Sequence, residues 1–70
     1  MTSKYGIWIY WSADDNAYIA EVAELPGCMA DGSTYQAALA AAEAAIAAWI
    51  ETAHELGREV PMPRAHRASA

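Results

Sequence analysis

Between residues 35 and 56 apolar side chains return at three- and four-residue steps: Leu39, Ala42, Ile46, Trp49, Ala53 and Leu56, with Ile50 beside them. That period gathers them into one stripe along an α-helix. Gln36, Glu43, Glu51, His54, Glu55 and Arg58 fall mostly outside the stripe. Nine alanines between positions 37 and 48 raise helix propensity and leave a slim surface that another layer can approach closely. The ends are marked too. Ser33 and Gln36 have the spacing of a capping box, Thr34 is a competing N-cap, and Gly57 stands where a C′ residue stops a helix. A helix with a single stripe needs a second layer against which to bury it.

The segments ahead of it read as that layer. "YGIWIYW", residues 5–11, is aromatic and β-branched, a strand composition. Tyr5, Ile7, Ile9 and Trp11 share one face of it, and Trp8 and Tyr10 the other. "SADDNA" supplies turn chemistry through Asp14, Asp15 and Asn16, and "AYIAEV", residues 17–22, is the return strand. The hairpin loop is then roughly four to six residues, longer than the tight two-residue type. In "ELPGC", Pro26 presets φ and Gly27 admits positive φ, which fits a type II turn. "CMAD" follows as a third short strand closed by Gly32. After the helix, "REVPMP" is extended and is expected to form at most a short edge strand, because Pro61 and Pro63 donate no backbone hydrogen bond. The expected fold is α+β: a two-layer β-β-β-α-(β) domain, an antiparallel sheet covered by one helix. Residues 1–63 form the domain, and residues 64–70, "RAHRASA", a mobile tail.

A chain of 70 residues buries only about 60% of its unfolded surface, so small domains of this kind often add a staple. One cysteine makes no internal disulfide, and Cys28 with His54 and His66 has no zinc spacing. Self-association into a dimer or tetramer is the remaining staple. It also suits the hairpin, whose first strand is bulky and apolar on both faces. The net charge of −5 argues against direct nucleic-acid binding and fits a basic protein partner. No run reads as a signal peptide or membrane span, so a cytoplasmic location is expected.

Candidate chemistry is sparse. Cys28 has no CxxC partner, no cationic neighbour, and only His54 as an in-domain base, off the stripe; the residue reads as a small buried hydrophobe. Asp14, Asp15, Glu21, Glu24 and Asp31 could serve a metal-dependent nuclease only if they converged, whereas Asp14 and Asp15 are adjacent in a turn. Gly27 and Gly32 have turn spacing and no phosphate-loop continuation. The aromatic set Trp8, Tyr10, Trp11 and Tyr18 lacks the basic groove that single-stranded nucleic acid needs, and reads as core packing or a protein interface. No catalytic group, cofactor or metal site is expected.

"YIAEVAELPGCMADGSTYQAAL", a helix ending "WIETAHELG", and "VPMP" together resemble the HicB-like antitoxin family. The matching positions are Tyr18, Ile19, Ala20, Leu25, Pro26, Gly27, Cys28, Gly32, Thr34, Ala38, Leu39, Pro61 and Pro63, across about residues 5–63. The resemblance implies a degraded ribonuclease H-type or ferredoxin-like unit without catalysis of its own. It implies a partner as well: a HicA-like toxin, a small basic ribonuclease with a double-stranded-RNA-binding fold that cleaves messenger RNA and is silenced when its active surface is covered. Two departures stand out. Ser33, Gln36 and Ala37 replace residues that are often acidic in the family, and the chain ends before the C-terminal DNA-binding domain many members carry, so operator binding is expected only through another protein. The interface is expected on the exposed hairpin face and its acidic turn, with Trp8, Tyr10, Asp14 and Asp15. Tyr18, Leu25, Pro26, Gly27, Cys28, Gly32 and Thr34 are expected to shape the backbone. The alternative is a self-associating scaffold or regulatory domain without a toxin.

Overall fold

The computed structural model describes residues 4–63. Three strands, β1 (Ile7–Ser12), β2 (Ala17–Val22) and β3 (Met29–Gly32), form an antiparallel sheet in the order β1-β2-β3, and one helix, α1 (Tyr35–Glu55), lies on it. The expected α+β architecture, an antiparallel sheet under a single helix, is present. The register pairs Ile7 with Val22, Ile9 with Ala20, and Ala20 with Ala30. Because side chains alternate along a strand, these residues share the face under the helix. Trp8, Glu21 and Met29 form one cross-strand row on the opposite face, and Tyr10, Ile19 and Asp31 the next.

The connections follow local chemistry. The hairpin loop is Ala13–Asn16, where Asn16 takes φ 51°, a left-handed conformation that a short amide side chain tolerates. The second connection is closed by Cys28 N–H donating to the Leu25 carbonyl at 3.0 Å, with Gly27 at φ 78°. That is the type II turn expected of Pro26-Gly27. Trp49 on the helix donates its indole N–H to the Pro26 carbonyl at 2.9 Å, tying the turn to the covering layer.

The helix begins at Thr34, whose hydroxyl accepts from Ala37 N–H at 3.0 Å. The capping-box reading of Ser33 with Gln36 is therefore corrected: the N-cap lies one residue later, and both side chains are exposed. At the other end Gly57, at φ 69°, donates to the His54 carbonyl while Arg58 N–H donates to that of Ala53. This is a Schellman closure with glycine at C′.

The core has a broad and a narrow end. Val22, Leu25, Cys28 and Ile46 are buried at the broad end, flanked by Tyr5, Ile7, Trp49 and Ile50. At the narrow end Ala20, Ala38 and Ala42 meet with Ile9, Tyr18 and Ala30 around them. Close approach is built in there. A Cβ on Gly32 would sit 2.4 Å from the Ala38 backbone nitrogen, so only glycine fits while the helix start rests on β3.

This spacing corrects the expected stripe at both ends. Ala38 is fully buried whereas Leu39 is 41% exposed, and Leu56 is also exposed. A leucine turned toward Ala20, Ala30 and Gly32 would hold the helix off the sheet, so the helix sets its phase on its alanines. The optional edge strand after the helix does not form: residues 58–63 have no ladder among the described residues. They are held instead by Tyr5, whose hydroxyl donates to the Pro61 carbonyl at 2.6 Å. The tail expected at 64–70 lies outside the described residues.

Candidate functional site

Half of each strand's side chains go into the core just described. The other half define a sheet face with no covering element among the described residues. It carries Trp8, Tyr10 and Ser12 from β1, Ala17, Ile19 and Glu21 from β2, and Met29 and Asp31 from β3. Trp8 is 65% exposed and Met29 55%, unusual for side chains of that size. None of these strand positions is lysine or arginine, and two are carboxylates.

The polar groups on this face are ordered. Trp8 and Tyr10 pack with ring centroids 4.7 Å apart at an interplanar angle of 42°. The Tyr10 hydroxyl donates to Glu21 Oε2, a diagonal contact across the β1–β2 ladder. The bonded Glu21 carboxylate, partial desolvation, and the charges of Glu21 and Asp15 all raise the Tyr10 phenol above its ordinary 10.0. Tyr10 is accordingly a neutral donor at physiological pH. At the turn, Ser12 Oγ donates to Asp15 Oδ2 at 2.8 Å, and Asp15 N–H donates back to Ser12 Oγ at 3.4 Å. Asp15 also lines a shallow depression with Ile19, Met29, Ala30 and Asp31.

Of the four expected interface residues, the structure thus gathers Trp8, Tyr10 and Asp15 around one patch. Asp14 is exposed at the turn and has no side-chain hydrogen bond among the described residues. Glu21 was not among the expected interface residues, although it belongs to the same acidic, aromatic hairpin. Alternation places Glu21 on the face opposite Tyr18 and Val22, and the register, which pairs it directly with Trp8, is what sets it beside the rings.

The remaining motif residues stand behind this face. Tyr18 points to the helix side, where it meets Trp11 and Tyr35 at centroid distances of 5.1 and 4.3 Å. Leu25 is fully buried. Cys28 is buried beside it, and burial pushes its thiol up, away from the reactive thiolate. His54 is exposed on the helix. Glu24 accepts from Gly6 N–H at 3.2 Å, bracing the entry to β1. Among the described residues no three His, Cys, Asp or Glu side chains group as metal ligands would, and no helix is long and apolar enough to cross a membrane.

A second concavity, of about 320 Å³, opens between the Pro-Gly turn and the C-terminal half of α1, lined by Cys28, Met29, Ala48, Trp49 and Leu56. Its lining is mostly apolar, with Thr52 and Arg58 among the lining residues.

Neither the curated proteins nor the solved structures contain a significant match to the chain. A protein-family comparison does match, across residues 5–69, and its family is described as the HicB_like antitoxin of bacterial toxin-antitoxin systems. That span takes in all three strands, the Pro-Gly turn and the helix. The chain belongs to the HicB-like antitoxin family.

Proposed function

We propose that this protein is a non-catalytic antitoxin that neutralises a small, basic, HicA-like messenger-RNA-cleaving toxin in the cytoplasm by covering the toxin's active surface with the open face of its sheet. The observation that carries the reading is the uncovered sheet face bearing Trp8, Tyr10, Glu21, Met29 and Asp31 in a chain of this family. Large aromatic and methionine side chains left in water beside carboxylates suit a protein interface: the rings supply buried area and the charges attract a basic partner. Glu21, Asp31 and the Asp14–Asp15 turn supply the negative potential, within a chain of net charge −5. Occlusion needs no chemistry from the antitoxin, which agrees with a buried Cys28 and a structural Pro-Gly turn.

The test is reconstitution. Toxin encoded beside this chain, mixed with an equimolar amount of it, should lose RNA cleavage, and Trp8→Ala should restore cleavage. Toxin that keeps cleaving RNA in the presence of excess wild-type chain would refute the reading.

A second association, between copies of the chain, is favoured by the exposed Leu56 and Met29 around the concavity beside α1 and by the ladder edge of β3, unpaired among the described residues. Light scattering at micromolar concentration should then return a dimer or tetramer, and a monomer would exclude it.

A further inference from the structure

The open face is more than an acidic apolar patch, because one carboxylate on it is held in a fixed place. Glu21 stands directly opposite Trp8 in the β1–β2 register and opposite Met29 in the β2–β3 register. Directly paired residues on one sheet face have Cβ atoms about 4.5–5.5 Å apart. Glu21 is thus flanked by an indole on one side and a thioether on the other. Tyr10 completes the arrangement: its ring packs on Trp8 and its hydroxyl donates to Glu21 Oε2. One carboxylate oxygen is thereby occupied and the group is oriented. Oε1 has no hydrogen bond among the described residues. Trp8, more than half exposed, presents ring surface to an incoming group.

We propose that Trp8, Tyr10 and Glu21 form a receptor for one arginine side chain of a basic protein partner. The proposal rests on the reading of the open face as the binding face. Arginine fits for three reasons. Its guanidinium is a plane that can lie on an indole, where a cation is attracted by the ring's negative face. Its N–H groups reach a carboxylate at the edge of that plane, giving a charge-assisted hydrogen bond. Its three-carbon stem can cover the apolar Met29. Lysine offers a compact, strongly hydrated charge that can use the carboxylate or the ring but does not span both as a plane. Tyr10 is a positioning residue, since it holds Glu21 and presents no charge of its own to the partner.

The test uses the full-length chain with two probes, the blocked peptides acetyl-Gly-Arg-Gly-amide and acetyl-Gly-Lys-Gly-amide, read through the Trp8 indole N–H in nitrogen-15 NMR spectra and assigned with Trp8→Phe. The arginine peptide should shift the Trp8 signal saturably while leaving Trp49 unmoved. The lysine peptide should need a several-fold higher concentration. Glu21→Gln, which keeps the shape and can still accept from Tyr10, should weaken the arginine response about tenfold, as expected when a charge-assisted bond becomes neutral. Tyr10→Phe should weaken it less. An unmoved Trp8 signal, equal responses to both peptides, or an unchanged response in Glu21→Gln would overturn the receptor. Toxin binding separates this from the antitoxin reading. If wild-type and Glu21→Gln chains bind toxin equally, the receptor is wrong and the antitoxin stands; if arginine is selected and no toxin binds, the receptor stands and the antitoxin reading falls.

Discussion

The two faces of the sheet are built from alternate residues of the same three strands, yet they have opposite characters. The middle of the covered face is made of modest, close-fitting groups, Ile7, Ile9, Ala20, Val22 and Ala30, against a helix that buries Ala38, Ala42, Ile46 and Ala53, with the rings of Trp11 and Tyr18 at one end. The open face carries the bulkier Trp8, Tyr10 and Met29, together with Glu21 and Asp31. If burial within the chain were the only demand, Trp8 and Met29 would not stand in water while alanines fill the middle of the covered face. The contrast shows that the middle of the covered face is fitted for close approach and the open face for contact area. Stability and recognition therefore reside on opposite sides of one layer, and substitutions should separate them.

The largest stability effect is expected on the covered side. Leu25 is fully buried, and Leu25→Ala should cost about 2–5 kcal/mol in urea denaturation, by lost transfer energy and a residual cavity. Trp8→Ala, on the open side, should change stability by no more than about 0.5 kcal/mol, as typical surface substitutions do. Equal losses for the two would break the comparison. Gly32→Ala comes next, at about 1–3 kcal/mol, because the added methyl meets the Ala38 nitrogen and the helix start must move. Thr34→Ala should cost about 1 kcal/mol through its lost cap, whereas Ser33→Ala should fall within about 0.5 kcal/mol.

The smallest effect is a titration. Tyr10 has a folded-state phenol pKa above the ordinary 10.0, first because of its bond to Glu21. A raised pKa means the folded chain holds that proton more tightly than the unfolded chain. The contribution is fully present below about 10, the value expected for the unfolded chain, and is lost as pH rises through the folded value. Ultraviolet or carbon-13 titration of the phenol should find it above the free-tyrosine value, and Glu21→Gln should lower it toward 10.0. An unmoved phenol in Glu21→Gln would mean that the Tyr10–Glu21 contact does not hold the open face in solution.

Much of the fold was legible because it follows from local rules. The bounds of β2, the parity of β1, the Pro26-Gly27 turn and the Gly57 stop each depend on residues close together in the chain. What escaped depends on distances between layers. The helix phase required knowing that Ala20, Ala30 and Gly32 bring the sheet close, so that Ala38 and not Leu39 turns inward. The proline segment offered extended backbone, but its holding contact comes from Tyr5, 56 residues earlier. Of the candidate site, Trp8 and Tyr10 were legible from alternation alone. Glu21 was not, because its pairing with Tyr10 spans 11 residues and exists only in one register. The Trp49–Pro26 bond was hidden in the same way, since an indole on the helix stripe reads as plain core until the turn is seen beneath it.

The claim that the open face is the binding face is tested most directly by mapping amide and indole shifts of the isotope-labelled chain on titration with catalytically dead toxin. The large shifts should cluster at Trp8, Tyr10, Ile19, Glu21, Met29 and Asp31, with Ala44, Ala47 and Glu51 on the outer side of α1 unchanged. Shifts concentrated on α1, with Trp8 and Glu21 unmoved at saturation, would contradict it.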